Sequence, residues 1–179
     1  MERKLTLVFD LETDGLLNDA TKIHCIAIYD SETNQTTSYN DECPGKGMSE
    51  PVVRAVQYLE QADSIVGHNI IGFDIPIIRR LYPFFNFTGT VIDTLILSRL
   101  YHNRIIEIDK VKFKDMPGRL KGRHSLEAYG YRLGEYKGEF SKTTDWKEWS
   151  QEMEDYCIQD VKVTAKLCDH FHPYLIGSR

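Results

Sequence analysis

The chain has 179 residues and a net charge of −5, which suits one domain with its own core and argues against gripping nucleic acid by bulk charge. No apolar run approaches the length a bilayer requires, and the M-E-R-K-L start lacks a signal-peptide pattern, so a cytoplasmic protein without membrane attachment is expected. The four cysteines, Cys25, Cys43, Cys157 and Cys168, show neither a C-x-x-C pair nor zinc spacing, and read as reduced structural thiols.

The run Leu5–Phe9 is apolar and partly β-branched, the pattern of a buried strand, and it delivers Asp10 and Glu12 before Gly15 breaks it. Ile23–Tyr29 and Thr36–Tyr39 predict two further strands, and three in succession suggest an antiparallel meander. Asn40–Ser49 reads as loop. A helix is expected from Glu50 or Pro51 to about Gln61, then a short buried strand at Ser64–Gly67. Gly72 ends the next loop, and a helix follows to Leu81 with Pro76 in its first turn. Thr90–Ile92 is another strand, and Asp93 reads as the N-cap of the helix T-L-I-L-S-R-L-Y.

Asn103–Arg123 carries seven basic residues against three acidic ones, and Pro117, Gly118 and Gly122 interrupt any periodicity. It reads as a long surface loop, either an arm for a phosphate backbone or a solvated basic stretch. Ser125–Tyr131 predicts a short helix, with Gly130, Gly134 and Gly138 spacing the loop beyond. A long terminal helix is expected from about Asp145, which with Glu148 has the capping-box pattern. Trp149, Met153, Tyr156, Asp160, Val163 and Leu167 share one side of that helix, and an aspartate there is the anomaly.

Residues two apart on a strand face the same way, so Asp10 and Glu12 place like charges together. A divalent cation relieves such repulsion, and hard oxygen donors suit magnesium or manganese. Asp74 begins a helix, where the macrodipole alone accounts for an acid. Tyr156 precedes Asp160 by four and shares its helix face.

Taken together, Asp10-x-Glu12, Asn69 with Phe73-Asp74, and Tyr156-x-x-x-Asp160 resemble the three motifs of the DEDD exonucleases, in their tyrosine subclass. Asp155 stands where the histidine subclass has its histidine. The stretches from Ile92, from His124 and from Asp155 look like the proofreading domain of family A polymerases of short-tailed phages, and the resemblance covers nearly the entire chain. Phe73 departs from the tyrosine found in many relatives, and the chain ends at Arg179, where a polymerase domain would begin.

The resemblance implies a ribonuclease H-like α/β fold, a mixed sheet flanked by helices, forming a single exonuclease domain over 1–179. It implies hydrolysis of single-stranded or frayed DNA 3′ ends to nucleoside 5′-monophosphates, freely or beside a DNA polymerase in the host cytoplasm. An exoribonuclease of the same superfamily and a catalytically silent replisome-docking module are the alternatives. Two divalent ions, Mg2+ or Mn2+, about 3.5–4 Å apart, would be held by Asp10, Glu12, Asp74 and Asp160. Asp10 would bridge both, Glu12 and Asp160 complete the water-activating site, and Asp74 hold the second ion through waters. Tyr156, a poor base at neutral pH, would orient the attacking water. Substrate contacts fall to Leu11, Thr13, Leu16, Asn69, Phe73 and His124. For Leu16 and Phe73 core packing is the competing reading, and for His124 a satisfied structural histidine is.

Overall fold

The computed structural model describes residues 4–42, 50–135 and 145–178. Cys43, Gly138 and the end of the loop expected over Asn40–Ser49 lie outside the described residues. The elements are β1 (Thr6–Thr13), β2 (Ile23–Asp30), β3 (Gln35–Asn40), α1 (Val52–Glu60), β4 (Ser64–Gly67) and α2 (Asp74–Leu81). They continue as β5 (Thr90–Asp93), α3 (Thr94–Tyr101), α4 (Ile105–Lys112), a 3-10 turn at Gly118–Leu120, α5 (Leu126–Leu133) and α6 (Gln151–Leu175).

The strands form one mixed sheet in the order β3-β2-β1-β4-β5. The first three pair antiparallel as a meander, while β4 and β5 run parallel to β1. Parallel neighbours need a crossover, which α2 supplies between β4 and β5. The chain is therefore α/β with a mixed central sheet and flanking helices, as the resemblance implied.

β1 lies at the centre and divides its side chains by the period-two rule. Leu7, Phe9 and Leu11 join the core beneath α1 and α2, with Val56, Leu59, Ile77 and Ile78. Val8 faces the other way with Cys25, Ala27 and Val66, where α6 packs through Cys157 and Val161. Farther along α6, Val163, Leu167 and Phe171 bury themselves with Ile105 and Tyr129. Each contributes roughly 1.5–3 kcal/mol by leaving water. Among the described residues no helix is long and apolar enough to cross a membrane.

Two expectations are corrected. The segment Asn103–Arg123 is not a featureless loop, because it contains α4 and the 3-10 turn. Ile105, Asp109, Met116 and Leu120 point inward at 4 % exposure or less. Asp109 sits at a core position, so an apolar pattern alone does not reveal this helix; its inward partner is the side chain of Arg132. The guanidinium grips Asp109 in a fork, Nε to Oδ1 at 2.8 Å and Nη2 to Oδ2 at 2.7 Å, and Gly122 N–H adds a third bond. The terminal helix also begins later than Asp145. Ser150 is its cap, accepting from Met153 N–H, while Asp145 closes a local turn onto Lys147 N–H. Both residues can cap, and only Ser150 stands where the helix meets its anchor. That anchor is buried Glu154, which accepts from Ser38 and Asn40 on β3.

Burial by itself would raise the Asp109 carboxyl, but the Arg132 hydrogen bonds and charge hold it below the ordinary carboxylate range. A depressed folded pKa stabilises the protein above the unfolded value, about 3.9, and that stability is lost as pH falls through the folded value. Arg132→Met should cost about 3–5 kcal/mol at pH 7 by leaving Asp109 buried and uncompensated. Its lone carboxyl would then titrate high, so the variant should gain stability as pH falls from about 7 to 5, a range over which the wild-type Asp109 contribution stays constant. Urea unfolding of both proteins across that range checks the difference.

Candidate active site

The carboxyl-terminal ends of β1, β4 and β5 lie side by side, and a cleft of about 540 Å3 opens there against α6. Asp10 and Glu12 enter it from β1 on the α6 side of the sheet, and Tyr156 and Asp160 enter it from α6. Carboxylate oxygens of Asp10 and Glu12 and the Cys157 sulfur all lie within 4.8 Å of one another. Asp160 is 6 % exposed.

Cys157 was not singled out in the sequence as part of this cluster. Burial pushes its thiol well above the ordinary range, followed by its hydrogen bond with Cys25 and the nearby acids. It stays protonated, and its Sγ–H donates to the Asp10 carbonyl at 3.3 Å. The thiol thus ties α6 to β1 and leaves oxygen as the donor chemistry of the cluster.

Asp74 is not in the cleft wall but buried behind it at 4 % exposure. Burial raises its carboxyl well above the usual range, and the charge of Asp10 raises it further, placing these two acids as neighbours. Backbone hydrogen bonds at Asp74 and Leu11 oppose the shift. The helix that starts at Asp74 is positioned by Asp93. Asp93 caps α3 through Leu95 N–H, as expected, and also accepts from Asn69 N–H at 2.9 Å and Ile71 N–H at 3.1 Å. That clamp holds Asn69 at φ +67, a left-handed conformation asparagine tolerates. Gly67 precedes it because a Cβ there would meet Ile70 at 2.1 Å and the Phe9 carbonyl at 3.0 Å.

Tyr156 lies against Trp146, edge to face at 6.4 Å. Burial raises its phenol, and Glu12 and Asp10 raise it further, so the hydroxyl keeps its proton at neutral pH and is a donor. Trp146 is itself held by His24 Nε2, which bonds its carbonyl at 3.1 Å.

Arg99, Arg123, His68 and His124 line the same cleft as the acids. Carboxylates suit cations and the two guanidiniums suit phosphate oxygens. His124 lines the cleft and also bonds Ser98 Oγ at 2.5 Å, so both of its readings hold a share. Leu11 and Asn69 line the cleft as well. Thr13 is buried and its hydroxyl donates to the Gly15 carbonyl. Leu16 is 76 % exposed at the end of β1 and packs into no core. Phe73 packs beside the α1–α2 core, which favours its packing reading.

Arg99, His68 and Trp146 were missed in the sequence. Each comes from a different element, and no local pattern marks an arginine on an exposed helix face as cleft-facing. Arg123 was visible only as one charge in a basic run.

Comparison with known proteins follows the same lines. The chain is 33% identical over 186 residues to the DNA-directed DNA polymerase of Escherichia phage T7, and 34% over 187 residues to that of Enterobacteria phage T3. Each match covers 91% of this chain and 26% of the polymerase, so the chain spans about a quarter of the length of these relatives. Among solved structures, Brucella melitensis NrnC superposes with a TM-score of 0.65 at 17% identity, covering 96% of this chain and 75% of the other. An E. coli ExoI–ssDNA complex superposes at 0.58 and 17% identity, covering 99% and 43%. These likenesses carry the fold. A family model described as the RNase_H superfamily matches residues 7–172, and the chain belongs to that superfamily.

Proposed function

We propose that this chain is a metal-dependent exonuclease that trims single-stranded or frayed DNA from the 3′ end, releasing nucleoside 5′-monophosphates. We further propose that it forms one exonuclease unit over 1–179, working in the host cytoplasm alone or beside a polymerase. The observation that carries the reading is the meeting of Asp10, Glu12 and Asp160 in one cleft that two arginines also line, with Asp74 buried beside Asp10. The phage DNA polymerases that share a third of its residues support DNA as the substrate.

Four acids gathered from three elements repel one another, and the Asp74 carboxyl is raised first by its burial and then by the charge of Asp10. Asp10, Glu12, Asp160 and Asp74 would hold divalent magnesium or manganese, whose preference for hard oxygen donors these carboxylates meet. Bound there, such ions supply Lewis acidity for the phosphate and a lowered pKa for the attacking water. The chain's own residues do the rest. Tyr156 donates its hydroxyl to hold that water, and Arg99 and Arg123 match the phosphate oxygens of the strand. Asn69 and Leu11 border the terminal nucleotide, and exposed Leu16 offers an apolar edge to its base.

End-labelled DNA and RNA oligonucleotides test the reading. Asp10→Ala should lower magnesium-dependent cleavage by more than ~100-fold with an unchanged fold by circular dichroism. A wild-type protein that binds DNA yet yields no ladder with either metal would make the chain a docking module, and preference for RNA would make it an exoribonuclease.

Tyr156→Phe should slow turnover roughly 10- to 100-fold while the magnesium concentration for half-maximal rate stays put. A large shift in that concentration would reassign Tyr156 to the metal shell.

Arg123→Ala and Arg99→Ala should each weaken single-strand binding and reduce the log–log salt slope by about 0.7. Lys110→Ala should leave the slope unchanged, since its helix stands outside the cleft wall.

A further inference from the structure

A second cavity of about 400 Å3 opens among α3, α4, α5 and α6 and shares no wall residue with the cleft. Its wall holds His102, just after α3, and His170, near the end of α6. Their Nε2 atoms stand 3.4 Å apart, with the rings inclined at 66° rather than stacked. At that distance the two rings share a long hydrogen bond, which a metal ion would replace. Two imidazole nitrogens about 2.0–2.1 Å from one tetrahedral metal lie roughly 3.4 Å apart.

The surroundings orient the pair. Tyr129, 1 % exposed, bonds His102 Nδ1 at 3.0 Å and is itself bonded to Ser98 Oγ at 2.6 Å. Holding Nδ1 in this way fixes the ring so that Nε2 faces His170, and with Nδ1 donating to the Tyr129 oxygen Nε2 would be the metal-binding atom, the arrangement outer-shell groups give metal-bound histidines. Phe171 packs against the His102 ring at 5.0 Å and limits its rotation. Two other cations line the cavity. Arg132 is already matched by Asp109, and Lys112 is exposed to solvent.

We propose that His102 and His170 form a site for a borderline transition-metal dication of the zinc class, completed by water from the cavity. Imidazole pairs suit zinc, copper or nickel and not magnesium, so this site differs in chemistry from the carboxylate cluster. It is also connected to that cluster's cleft. Ser98 bonds both Tyr129 and His124, so three hydrogen bonds link His102 to the cleft wall.

The test uses the full chain in the Asp10→Ala background, with magnesium in excess, to keep zinc from the carboxylates. Zinc chloride is titrated by calorimetry while histidine ring resonances are followed by NMR. One zinc should bind, shifting the resonances of His102 and His170. His170→Gln, a half-buried position, should weaken that binding at least about 10-fold, and Tyr129→Phe about 10- to 100-fold. An isotherm unchanged by His170→Gln, shifts confined to other histidines, or no zinc binding at all would overturn the proposal. These readouts involve no cleavage, so loss of the nuclease reading leaves them intact.

Discussion

The close approach of α6 to the central strand β1 is the contact on which the rest of this structure depends. It is made by small side chains, Val8, Cys25, Ala27 and Val66 on the sheet and Cys157 and Val161 on the helix. Small residues let the helix axis come near, and the Cys157 thiol then bonds the β1 backbone beside Asp10. One turn further along, Asp160 faces the acids of β1. A bulkier interface would leave the same residues in the sequence but hold the carboxylates apart.

Bringing acids together has an electrostatic cost, and the surrounding structure shows how it is contained. Asp74 is kept in place by Leu11 and by its own helix start, although burial and Asp10 both disfavour its charge. Asp93 resembles another member of the cluster in sequence but does different work. Its carboxylate is filled by three backbone N–H groups and so fixes the loop that leads to Asn69 and the start of α2. Two buried aspartates therefore have opposite roles: one is saturated by the backbone, the other pressed against its own kind. The same contrast applies to Asp109, saturated by Arg132, which braces α4 against α5 and shapes the wall of the second cavity.

The order and spacing of Asp10-x-Glu12, Asp74 and Tyr156-x-x-x-Asp160 were legible because strand and helix periodicities are local rules. Local patterns in other segments also showed the meander and the cap at Asp93, while the α/β class and the superfamily followed from the family resemblance that the motifs carry. The start of α6 and the existence of α4 were not legible. Asp145 and Ser150 are equally good caps in isolation, and only the bond of Glu154 to β3 selects between them. In α4 the inward position is an aspartate whose partner lies 23 residues away, so no window of sequence displays the pairing.

Sequence alone determined which side chains could share a strand face or a helix face, since backbone geometry repeats every two or 3.6 residues. Tertiary structure decided which of those faces meet. It put Arg99, His68 and Trp146 into the cleft wall, withdrew Phe73 toward the core, and set His102 beside His170 across 68 residues. Such meetings depend on how closely whole elements pack, and packing is a property of side-chain volumes summed over distant segments.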